Sequence, residues 1–157
     1  MISKMLRYII TLFKKPKPII KTPLELIFID GDQDANRQIA TFNKISNDRK
    51  GFWIHVQREI PRKLSKIPNI EAISVRDMAA KGKETTDKYI AIAIQKGVSE
   101  GIKKFTVISR DYDFVDIFKM IVMSNPEVEL DFTLVAAKAQ GRLLDAKSTS
   151  TISIVLL

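Results

Sequence analysis

The chain has 157 residues, 45% hydrophobic and 28% charged, which suits one globular domain able to bury a core without staples. It has no cysteine, which excludes disulfide scaffolds, thiolate metal sites and cysteine nucleophiles and fits a reducing compartment. The net charge of +8 points to polyanionic partners, nucleic acid or an anionic membrane surface, with a solvated basic surface as the plain alternative.

In chain order, residues 1–15 place Ile2, Leu6, Ile9 and Phe13 at helical spacing. Pro16 and Pro18 end that short amphipathic helix, and residues 16–23 read as an extended linker. The helix is expected to dock on the domain. A lipid-surface or partner-binding helix beside Lys14, Lys15 and Lys17 is the alternative. It lacks a signal-peptide cleavage site, and no apolar run reaches the ~20 residues of a membrane span, so a cytoplasmic location is expected.

From residue 24 to 157 the pattern alternates. LELIFID (24–30) is an apolar strand ending in an aspartate, and NRQIATFNKIS is a helix. GFWIHV (51–56) is a strand, REIPRKLSKI a short helix, and IEAISV (70–75) a strand. A long helix spans 84–101, FTVIS (105–109) is a strand, and DFVDIFKMIVMS (113–124) is a helix. ELDFTLVA (129–136) is a strand, and STISIVLL is available as an edge strand. Strands alternating with helices imply βαβ units and a parallel sheet covered on both faces.

In such a sheet the strand ends and helix starts share one edge, where ligands bind. Asp30 ends the first strand, Asp111 follows FTVIS, and Asp113 opens the next helix. Asp87 precedes Ala91, Ile94 and Val98 at helical spacing, so it extends a core-facing stripe, where an unpaired carboxylate is costly. Local roles compete: an Asx turn for Asp30 and Asp32, the helix dipole for Asp87, and helix capping for Asp113 with Asp116. Jointly, four like charges at one edge repel, and a hard divalent cation such as Mg²⁺ or Mn²⁺ relieves them. His55 is the sole histidine, so no Ser-His-Asp set can form, and Lys81-Gly82-Lys83 lacks the rest of a phosphate loop.

Three segments together resemble the NYN family of PIN-like ribonucleases: IFIDGDQ, GKETTDKYIAIAI and VISRDYDFVDIF. The likeness covers roughly residues 24–136. It implies a three-layer α/β/α sandwich with a central, mostly parallel sheet and metal-dependent, endonucleolytic cleavage of RNA, with single-stranded DNA as a further substrate. Asp30, Asp87, Asp111 and Asp113 would hold Mg²⁺ or Mn²⁺, with Asp32, Gln33, Glu84 and Ser109 around them. Lys81, Lys83, Lys88 and Arg110 would position the RNA backbone, and Arg62, Lys63 and Lys66 would extend that track. Gln33 replaces the family's usual asparagine, and Tyr112 a common serine; Tyr112 would narrow the site or offer a face for base stacking.

Two other readings remain open. Asp30-Gly31-Asp32 resembles the D-x-D of haloacid-dehalogenase phosphatases, although Gln33-Asp34 stands where that group usually has threonine or valine. A PIN-like domain that binds RNA or protein without cutting is the second. A regulatory protein partner or a homo-oligomer is compatible with either.

Overall fold

A computed structural model describes residues 25–57, 59–76, 85–136 and 150–156. The predicted N-terminal helix and linker, 1–23, lie outside the described residues. Among those described, six strands form one all-parallel sheet: β1 Glu25–Asp30, β2 Gly51–His55, β3 Ile70–Ser74, β4 Lys104–Ile108, β5 Asp131–Ala136 and β6 Thr151–Leu156. The α-helices are α1 Ala35–Ile45, α2 Thr85–Ser99 and α3 Asp113–Ser124.

The strand order is β3-β2-β1-β4-β5-β6. The chain moves outward from β1 to β3, then returns to the other side of β1 as β4. Right-handed crossovers in opposite directions put their helices on opposite faces. Accordingly, Ile39 and Phe42 of α1 pack with Ile27, Ile29 and Trp53 on one face. On the other, Ile90 and Ile94 of α2 and Phe118 of α3 pack with Phe28, Phe105 and Phe132. The fold is the expected α/β sandwich. β1 is apolar at consecutive positions because both of its faces are covered.

The expected short helix near residue 62 is a 3-10 turn, Arg62–Lys66, which buries only Leu64. Six residues bounded by Pro61 and Pro68 give too little length for a run of α-helical bonding. The C-terminal segment does join the sheet, as parallel edge strand β6, with Val135 opposite Val155. Helix α2 ends at Gly101, whose φ of 89° is open to glycine at no steric cost. Ile102 N–H then donates to the Gly97 carbonyl at 2.9 Å, closing a Schellman-type end. No helix among the described residues is long and apolar enough to cross a membrane.

Candidate functional site

The strand order reverses between β1 and β4, and in open parallel sheets that reversal opens a crevice beyond the carboxyl ends. Ile29 pairs with Ile108, so the next residues, Asp30 and Ser109, face that crevice from neighbouring strands. The same order serves dinucleotide-binding sheets, but there the first turn is glycine-rich. Here it is Asp30-Gly31-Asp32-Gln33-Asp34.

Asp30 is only 5% exposed. Its Oδ2 accepts the Ser109 hydroxyl at 3.1 Å, and its Oδ1 accepts the Asp32 amide at 3.3 Å. Burial pushes its pKa above the ordinary carboxylate value. The two hydrogen bonds oppose that shift, and the charges of Asp32 and Asp111 add to it. Asp30, Asp32 and Asp111 are therefore one electrostatic group.

A buried amide holds the strand ends in place. Gln38, on α1 and 2% exposed, donates from Nε2 to the carbonyls of Asp30 and Ile108, each at 3.1 Å. The same nitrogen lies 3.2 Å from Gln33 Oε1. Gln33 in turn donates to Ser109 Oγ at 3.0 Å and accepts the Arg110 amide at 2.8 Å. A network thus runs from α1 through Gln33 and Ser109 to the Asp30 carboxylate. Ser109 bonds Asp30 directly, and Gln33 reaches it through Ser109.

Asp32 is a brace. Its carboxylate accepts the Val56 amide at 3.0 Å, the Gln57 amide at 3.3 Å and the Thr86 hydroxyl. These bonds join the first turn to the exit of β2 and to the start of α2. Thr86 is the buried residue of that first helical turn, while Asp87 is half-buried at the margin of the stripe. Asp111 is half-buried, and its Oδ1 accepts the Asp113 amide at 2.9 Å. Asp111 thus makes an Asx-type turn into α3; the N-cap position is Tyr112, which makes no side-chain cap bond, and Asp113, to which sequence offered the capping role, is the exposed first residue of the helix.

Lys88 and Arg110 are exposed, as are Arg62, Lys63 and Lys66. Lys63 Nζ donates to Asn36 Oδ1 at 3.1 Å, which ties the 3-10 turn to α1. Lys81, Lys83 and Glu84 lie outside the described residues. His55 is buried with Nδ1 2.8 Å from the Gln57 carbonyl, a structural contact. Gly31 has a steric reason: a Cβ there would lie 2.3 Å from Trp53 Nε1 and 2.7 Å from the Ile54 carbonyl oxygen. The Trp53 Nε1 is buried and has no hydrogen-bond partner among the described residues.

Among the described residues no three histidine, aspartate or glutamate side chains gather closely enough to cage a metal ion by themselves. Sequence reasoning passed over Gln38 and Thr86. The available signal was the one applied to Asp87: Gln38 is polar on the same helical face as Ile39 and Phe42. No protein-family model, curated protein or solved structure matches the chain, so the reading of this edge rests on its own residues.

Proposed function

We propose that the chain is a metal-dependent ribonuclease, hydrolysing RNA phosphodiester bonds at the carboxyl edge of its sheet with Mg²⁺ or Mn²⁺ held mainly by Asp30 and Asp111. The observation that carries the reading is the placement of these two carboxylates beyond neighbouring strand ends, joined through Ser109 Oγ, which donates to Asp30 and accepts the Asp111 amide, with Asp30 withdrawn from water. A cation offsets that penalty. Mg²⁺ keeps several waters and binds through one or two carboxylates plus substrate phosphates, so a pair is a sufficient donor set. Asp87 and Asp113 are candidates for contacts through those waters. Once bound, the ion would activate a water and offset charge on the scissile phosphate.

The chain's own residues supply position and attraction. Ser109 and the Asp32 amide orient Asp30, and the Asp113 amide orients Asp111. Arg110 lies two residues beyond β4, and Lys88 follows Asp87 on α2; both are exposed for phosphate contacts. The motif resemblance to NYN ribonucleases supports RNA as the substrate. A phosphatase using Asp32 as its acid is disfavoured, because both Asp32 oxygens already accept neighbours of the same chain.

The test is incubation with single-stranded RNA and DNA in Mg²⁺, Mn²⁺ or chelator, beside an Asp30→Asn variant. Metal-dependent RNA cleavage that the variant loses is expected. Cleavage that persists in chelator, or in the variant, would sink the mechanism.

A further inference from the structure

We infer that Tyr112 is a stacking platform for an unpaired base, selecting single-stranded RNA over duplex. The inference rests on the reading of this edge as an RNA site. Every other aromatic side chain among the described residues is buried, whereas Tyr112 is 41% exposed. It lies between Asp111 and Asp113 and follows the exposed Arg110. Tyr112 is not part of the core, and its place in the turn between Asp111 and Asp113 is one that a nucleic-acid edge would use.

The turn that carries it is fixed on both sides. The Arg110 amide is held by Gln33 Oε1 at 2.8 Å, and the Asp111 amide by Ser109 Oγ at 3.1 Å. The Asp113 amide is held by Asp111 Oδ1, and the Val115 amide donates to the Tyr112 carbonyl at 2.9 Å. Phe114 is fully buried, and Phe118 stacks on Phe132 with ring centroids 4.6 Å apart, which docks α3 on the sheet. A ring on such a turn is ordered before the ligand arrives, so little freedom is lost on binding. Every base has a π-face, so stacking tolerates any sequence, but pairing in a duplex hides those faces.

The experiment measures binding of fluorescein-labelled oligouridine and of a labelled RNA duplex, in chelator, by fluorescence anisotropy. Wild type is compared with Tyr112→Ala and Tyr112→Phe, each checked by circular dichroism. The alanine variant should bind oligouridine about tenfold more weakly, the phenylalanine variant should match wild type, and duplex binding should not change. Unchanged affinity in Tyr112→Ala, equal loss for duplex, loss in Tyr112→Phe, or a wild type that ignores oligouridine would each overturn the proposal. If wild type binds through Tyr112 but never cleaves with Mg²⁺ or Mn²⁺, the nuclease reading falls and the platform stands.

Discussion

Replacing Gln38 by leucine should destabilise the chain out of proportion to the small change in shape. The leucine fills similar space but donates nothing. Two buried backbone carbonyls, of Asp30 and Ile108, lose the amide that bridges them, and Gln33 loses its anchor to α1. A buried acceptor stripped of its partner costs ~1–3 kcal/mol. Two such acceptors, less the gain from burying an apolar side chain, leave a net loss of roughly 2–4 kcal/mol. For a chain of this size that corresponds to a fall in Tm of about 5–15 °C. Urea unfolding followed by Trp53 fluorescence measures it. The midpoint should fall with the slope unchanged, because the exposed area of the unfolded chain is the same. A leucine variant within ~0.5 kcal/mol of wild type would show that Gln38 does not brace the strand ends, since that is the scatter of ordinary surface substitutions.

Other substitutions separate structural from chemical roles. Gly31→Ala should cost about 1–3 kcal/mol by urea titration, because its Cβ would meet the Trp53 ring and the Ile54 carbonyl, and backbone cannot yield cheaply. Asp111→Asn should keep the acceptor for the Asp113 amide and thermal stability while abolishing cleavage; Asp111→Ala should also lose about 1 kcal/mol. Asp30 has a raised pKa, so its favourable contribution is complete below the unfolded value of 3.8 and is lost as pH rises through the higher folded value. In chelator, Asp30→Asn should therefore unfold at a higher temperature than wild type at neutral pH, with the gap closing on acidification below that range. A gap that widens on acidification would reverse the sign of the argument.

The elements that carry the site were legible because their apolar runs are sharp. β1 ends on Asp30 where the hydrophobic run ends, and α3 covers the predicted 113–124. The parallel order also followed from alternation alone. The bracing of the edge was less legible. A glutamine in NRQIATFNKIS looks solvent-facing until the two strand ends beneath it are known. Thr86 and Asp87 differ by one residue, a rotation of about 100° on a helix, so the stripe through Ala91, Ile94 and Val98 could not separate them. Asp32 reads as a turn former, and only the spatial return of Val56, Gln57 and Thr86 makes it a brace. A polar side chain that serves distant backbone shows in a sequence only as an interruption of an apolar face, and nothing in the pattern names its partner.

The charge of the edge is opposite to the charge of the chain, and that contrast constrains what happens there. A net charge of +8 would attract a polyanion such as RNA, and such attraction would weaken steeply with monovalent salt. Asp30, Asp32 and Asp111 would by themselves repel a phosphate from the carboxyl edge of the sheet where the strand order reverses. General basicity can therefore bring RNA to the surface but cannot seat a phosphodiester at this edge. On the proposed reading a divalent cation would reverse the local sign, while Arg110 and Lys88 would hold the backbone beside it. Salt and divalent metal should consequently act on different quantities: salt on the affinity of the whole surface, metal on cleavage at the edge. A protein whose RNA affinity falls with salt but whose RNA stays intact at every metal concentration would be a basic binding domain with an acidic crevice that serves something else.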